Sequence, residues 1–242
     1  MTTCNLELGG KPLCKLGVIT DNRGRRYAQT VQLRGASLSE VLAERRDGVE
    51  REFDMFIIGE APGAKEDDSG LPFQGKGGAI LAEYVTTSGI NPERTYVTNL
   101  VKCRPPKNRK PASKEKQACL VHIQQELLEH KPKVVILLGA STLSLFNLNK
   151  LGGIKSIHGQ LYEKALPSLE DGPVFKVIPT FHPAAFLHRP NPKLQRRVRD
   201  DYIFARRVLD AAEDERVSHT HYTAPYEVVS SVSILDEMVE AI

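Results

Sequence analysis

Short apolar runs alternate with amphipathic stretches along most of the chain. Phe53 to Ile58, Thr95 to Val101, Lys133 to Leu138 and Val174 to Ile178 are apolar runs bounded by turn residues, the pattern of strands. Val134-Val135-Ile136-Leu137-Leu138 has no polar position, as a strand covered on both faces requires. Between these runs the period lengthens. Ser37-Leu38-Ser39-Glu40 is a capping box that predicts a helix from Leu38 to Arg46. Ala79 to Ser88 reads as a helix closed by Gly89. Ser113 is placed to cap a helix through Glu129, with Ala118, Val121, Leu127 and Leu128 on its buried face. A short helix near Ala140 to Phe146 and a hairpin around Ile157 to Leu161 follow. Pro192 to Ala212 is amphipathic, with Leu194, Val198, Tyr202, Ala205 and Leu209 on one side.

This alternation predicts a three-layer α/β/α fold around a central, mainly parallel sheet. In such folds ligands bind beyond the carboxyl ends of the strands. Three polar segments follow strand ends here, Gly59 to Phe73, Asn99 to Lys107 and His182 to Arg189, and should converge on one cleft. Cys4 to Arg34 has no clean period and reads as an irregular lead-in. After the acidic Glu213-Asp214-Glu215, His219 to Pro225 looks like a linker, and Tyr226 to Ser230 and Ile234 to Ile242 like a strand and the start of a helix. The expected organisation is one domain over residues 1–213, with 214–242 a tail or the beginning of a second domain.

Composition narrows the class. With 242 residues, 40% hydrophobic and 26% charged, the chain is neither disordered, collagen-like nor a coiled coil. Its longest apolar run is far short of the ~20 residues a membrane helix needs. Met1 to Gly10 lack a basic flank and an apolar core, so the expected location is intracellular and cytoplasmic, with no membrane partner. The net charge of +3 says little, but its distribution says more. Lys102 to Lys116 holds seven Lys or Arg residues against Glu115, and His188, Arg189, Lys193, Arg196, Arg197 and Arg199 form a second cluster. Such clusters either line a groove for phosphates or are solvated surface.

The strand ends carry the candidate chemistry. Gly59-Glu60-Ala61-Pro62-Gly63 places Glu60 at the cleft floor, with Glu66 and Asp67 behind it, and its glycines let backbone approach a ligand. It is neither a dinucleotide fingerprint nor a P-loop. Asn99 offers a donor and an acceptor that could read a base edge. Phe73 could stack on a base, and His182 could donate to an anionic oxygen or bind a metal. Each alone is equally at home in a structural role. Cys4, Cys14, Cys103 and Cys119 are either buried thiols or metal ligands, and four thiolates suit zinc or a four-iron cluster.

Taken together, these segments resemble the iron–sulfur (type 4) uracil-DNA glycosylases over roughly Cys14 to Leu209. The resemblance rests on GEAPG (Gly59–Gly63), LPFQGKGG (Leu71–Gly78), TNLVKCRPPKNRKP (Thr98–Pro111) with Cys119, and HPAAFL (His182–Leu187). It implies a DNA repair enzyme that hydrolyses the N-glycosidic bond of uracil and leaves an abasic site. Asn99 would pair with the uracil edge, Phe73 would stack on its face, and His182 would stabilise charge on the leaving base. Glu60 would act at the sugar side, with Ala61 and Glu66 also against the substrate. Arg104, Lys107, Arg109 and Arg189 would meet the DNA, and Phe186 or Leu187 would fill the gap left by the extruded base. A structural 4Fe-4S cluster would sit on Cys4, Cys14, Cys103 and Cys119, with zinc the lesser option.

Two positions depart from the family pattern. Nine residues separate Cys4 from Cys14, where members typically carry C-x-x-C, and Ala61 stands where other uracil glycosylases carry a water-activating aspartate. Type 4 enzymes generally lack that aspartate too, which leaves Glu60 to orient water. The expected protein is a monomer, acting alone or fused to a replication or repair protein. The competing readings are a non-catalytic DNA-binding module and a zinc-stabilised nucleotide hydrolase.

Overall fold

The computed structural model describes residues 7–8, 11–12, 35–44, 47–167, 169, 172–188 and 190–213. Strands β1 (Glu7–Leu8) and β2 (Lys11–Pro12) form a small antiparallel ladder. The main sheet has six strands: β3 (Ala36–Ser37), β4 (Met55–Gly59), β5 (Thr95–Asn99), β6 (Val134–Leu138), β7 (Tyr162–Ala165) and β8 (Val174–Thr180). Their order is β3-β5-β4-β6-β8-β7. The four central strands are parallel, and β3 and β7 close the two edges antiparallel.

Strand alternation divides the core in two. Met55 and Ile57 face one helical layer with Val97, Ile136 and Ile178, packed against Leu81, Tyr84 and Val85 of α3 (Lys76–Thr87) and Val198, Tyr202 and Ala205 of α7 (Pro192–Glu213). Phe56 and Ile58 face the other layer with Val135, Leu137 and Val177, covered by Ile123 and Leu127 of α4 (Ser113–His130). The apolar strands are thus buried on both sides, which makes the sheet three-layered as its sequence pattern implies.

Several elements differ from expectation for local reasons. Helix α1 covers only Leu38–Leu42, because Ala43 caps it and Glu44 turns left-handed at φ 53°. The polar segment from Gly59 to Phe73 contains α2 (Ala64–Ser69), a short polar helix closed by Gly70 at φ 73°. Helix α4 turns Glu115, Cys119, Ile123 and Leu127 inward at a four-residue spacing, so Val121 and Leu128 are exposed. Its N-cap is Ala112, whose N–H donates to Glu115, and Ser113 is already helical. Leu143–Phe146 and Leu148–Lys150 are 3-10 turns, and the short helix α5 is Ile154–Ile157. The hairpin is formed by β7 and β8, which places it downstream of Ile157 to Leu161. Helix α6 (Ala185–His188) joins β8 to α7. The irregular lead-in and the 214–242 tail lie outside the described residues, apart from the β1–β2 ladder.

Candidate active site

The carboxyl ends of β4, β5, β6 and β8 form one rim. Gly59 pairs with Asn99 and Leu138 with Thr180 in the sheet register. The pairing runs on past the strands: Leu100 N–H donates to the Gly59 carbonyl at 2.8 Å and Val101 N–H to that of Glu60 at 3.0 Å. Glu60 is therefore held rigidly beside the strand that delivers Asn99.

Gly59 is the point on which two side chains converge. A Cβ there would lie 2.5 Å from Asn99 Oδ1 and 2.8 Å from Phe73 Cζ, so only a bare Cα lets the amide and the ring settle. Phe73 adopts φ 57°, a left-handed conformation rare for an aromatic residue. Its backbone is clamped by α3: a Cβ on Gly78 would fall 1.6 Å from the Phe73 carbonyl oxygen. The Phe73 ring lies nearly parallel to that of His182, with centroids 6.3 Å apart and planes 21° apart.

His182 is half-buried, and burial holds its imidazole below the usual histidine range against the opposing pull of Glu60 and Glu66. Its Nδ1 accepts the Ala184 N–H at 3.2 Å, so the neutral ring carries its proton on Nε2 and can donate there. Glu60 supplies the complementary group. Its Oε1 is buried and finds no hydrogen-bond partner among the described residues, a condition that buried carboxylate oxygens seldom tolerate without a functional reason.

The neighbouring charged residues serve mainly as braces. Glu66 accepts from Gly63 N–H with Oε2 and from Gly75 N–H with Oε1, both at 3.1 Å. It ties the loop after β4 to the start of α3, so it acts on the site through its charge and its hold on backbone. Burial raises the Asp67 carboxyl, against the nearby Arg104 guanidinium at 3.8 Å. Arg104 Nε also donates to Asn108 Oδ1 at 2.8 Å. Arg109 forks onto Glu115 at 2.8 and 2.5 Å, which makes it a strut of the basic loop. Lys107 stands exposed at the loop tip with φ 54°.

A sequence model of the Uracil DNA glycosylase superfamily matches residues 47–202, a span that contains every group just described. The chain belongs to that superfamily. Among its relatives, the type-4 uracil-DNA glycosylase of Thermotoga maritima is 38% identical over 147 residues, 61% of this chain and 73% of that protein. That of Archaeoglobus fulgidus is 38% identical over 140 residues, 57% and 68% of the two chains, and that of Saccharolobus solfataricus 35% over 169 residues, 68% and 74%.

Within this glycosylase fold the two wedge candidates part company. Phe186 is 4% exposed and packs into the core beside α7, whereas Leu187 is 36% exposed. Of the two, Leu187 stands at the surface and Phe186 is held in the core. Arg189 lies outside the described residues. So do Cys4 and Cys14, while Cys103 and Cys119 share a small buried cluster with Val101, against which Ala61 packs. No set of three or more metal-ligating side chains occurs among the described residues.

Two buried networks escaped the sequence reading. Lys102 is fully buried, with Nζ 2.6 Å from both Thr98 Oγ1 and Glu126 Oε2. Burial lowers its ammonium, while Glu126 and then Cys119 oppose that shift. The only sequence signal was a lysine wedged between Val101 and Cys103. The second network joins Asp201, His158 and Thr180, and nothing in their spacing announces it.

Proposed function

We propose that the groups at the head of this sheet carry the reaction of the uracil-DNA glycosylases: hydrolysis of the bond between uracil N1 and the deoxyribose C1′, leaving an abasic site in DNA. The observation that supports this reading best is the meeting of the Asn99 amide and the Phe73 ring on Gly59, beside a neutral His182. An amide can accept the uracil N3–H and donate to O4, while an aromatic face takes the flat base.

Breaking the bond sends its electron pair to N1. The base leaves as an anion whose charge spreads to its oxygens, and the sugar becomes an oxocarbenium-like cation. His182 Nε2–H donates to the developing oxyanion without having to be charged itself. The Glu60 carboxylate, whose Oε1 is buried without a partner among the described residues, opposes the cation and orients the water whose oxygen attacks C1′. That water gives up one proton, and the departing uracil takes one up, so the balance is uracil plus a C1′ hydroxyl. The target base must leave the stack first, and Leu187 is the side chain exposed to fill its place.

The thiols fit an iron–sulfur cluster as far as they are described: Cys103 and Cys119 are buried together, and thiolates are the donors such clusters take. Cys4 and Cys14 would complete the set. When bound, a cluster supplies a structural tie between the lead-in, the basic loop and α4. Lys107 at the tip of that loop would meet phosphate.

A labelled oligonucleotide with a single uracil, treated with the protein and then with hot alkali, tests the function. Cleavage at the uracil that disappears in Asn99→Ala and His182→Ala is expected. Intact strands from folded protein that still binds DNA would replace the enzyme with a binding module.

A further inference from the structure

Strand β8 ends at Thr180, two residues before His182, and every residue of this approach is held. Gly159 N–H donates to the Pro179 carbonyl at 2.9 Å, and Gly139 N–H to that of Thr180 at 2.8 Å. The Thr180 hydroxyl lies 2.5 Å from Asp201 Oδ2, and His158 Nδ1 lies 3.0 Å from the same oxygen. The His158 ring stands edge-on to Phe181, with centroids 4.9 Å apart. Ala184 N–H then fixes His182 Nδ1.

The cost of this arrangement shows that it is more than packing. Asp201 is 1% exposed, on the face of α7 that also buries Val198, Tyr202 and Ala205. Burial raises its carboxyl, and the hydrogen bonds from His158 and Thr180 work against that rise. An apolar residue at this helical position would avoid the penalty of a buried carboxylate altogether. One oxygen shared by the Thr180 hydroxyl and the His158 ring fixes both groups in direction.

We infer that Asp201, with His158 and Thr180, is the positioning group for His182: it locks the end of β8 so that the His182 ring is presented to the leaving base in one tautomer and one direction. This rests on the reading of His182 as the donor to uracil. Asp201 touches neither substrate nor reacting atoms; it acts through Thr180, and through His158 on Phe181.

The full chain with Asp201→Asn, and the pair Thr180→Val and Thr180→Ser, tests this by three measurements. These are single-turnover excision, affinity for a duplex with an uncleavable 2′-fluoro-deoxyuridine, and the ring nitrogen shifts of His182. Asp201→Asn should slow excision by about 10²-fold, the cost of a misplacement near ~1 Å, with affinity held near that of the parent. The His182 nitrogens should move from one tautomer toward a mixture, and Thr180→Ser should recover rate relative to Thr180→Val. Undiminished excision in folded Asp201→Asn with unmoved His182 shifts would overturn the inference, as would equal rates in the two Thr180 variants. If the parent protein excises no uracil, the functional reading fails, and the His182 shifts alone decide the positioning role.

Discussion

Two carboxylates bracket strand β4, and their fates are opposite. Asp54, at the entry, receives Arg94 through Nη2 at 2.9 Å and through Nε, and Lys133 Nζ at 3.0 Å. Its carbonyl accepts from Lys133 and Val134 N–H, and its own N–H donates to Arg94. Asp54 thereby staples the starts of three strands. Glu60, at the exit, has a buried oxygen without a partner among the described residues. The entry side also holds a groove of about 610 Å³ lined by Arg51, Asp54, Arg94 and Lys133, roomy but with its charges largely paired. Between these two carboxylates the difference is satisfaction of the oxygens, not the size of the neighbouring cavity.

The comparison breaks if the exit residues prove dispensable. Asn99→Ala and His182→Ala should each lower excision by about 10²–10³-fold, the usual effect of losing a donor to a developing charge. Glu60→Gln should also slow excision severely while leaving thermal stability unharmed, because its buried Oε1 has no partner among the described residues to lose. Gly59→Ala, which adds only a methyl, should cost on the order of 10²-fold by pushing Asn99 and Phe73 apart. Asp54→Ala should do the reverse: excision by the folded fraction persists, but unfolding free energy in denaturant falls by about 1.5–3 kcal/mol.

The pH profiles sharpen the same contrast. Arg94 beside Asp54 holds its carboxyl below the usual range, with burial opposing and Lys133 assisting. The stability this supplies is present above the unfolded carboxylate value, about 3.9, and is lost as pH falls through the lower folded value. The stability gap between the parent and Asp54→Asn should therefore close in acid. The lowered imidazole of His182 stays neutral below the ordinary histidine value of about 6.5, so no His182-dependent loss of excision is expected between about pH 6.5 and 8. The smallest effect belongs to Lys107→Ala, which should reduce the slope of log affinity against log salt by about one.

The strands and the main cleft residues were legible because their signals are local. Val134 to Leu138 is apolar throughout, and Glu60, Asn99 and His182 each follow a strand end. Phe73 was legible as an aromatic in a polar loop, although its left-handed backbone was not. What stayed hidden depends on partners far along the chain. Lys102 meets Glu126 across 24 positions, and His158 meets Asp201 across 43. Helix α2 has no apolar period because it buries none of its residues. The inward face of α4 was mistaken because Val121 and Leu128 are apolar yet exposed, while Glu115 is buried against Arg109.

The antiparallel strands at the sheet margins carry a consequence of their own. Four parallel strands without them would present open rows of N–H and C=O groups, ready to template another chain. At one margin β3 contributes two residues, Ala36 and Ser37; at the other, β7 contributes four, with Glu163 and Lys164 in the middle. Edges this short, one of them carrying Glu163 and Lys164, are poor seeds for strand exchange. Copies of this chain are in this way discouraged from joining edge to edge into a continuous sheet.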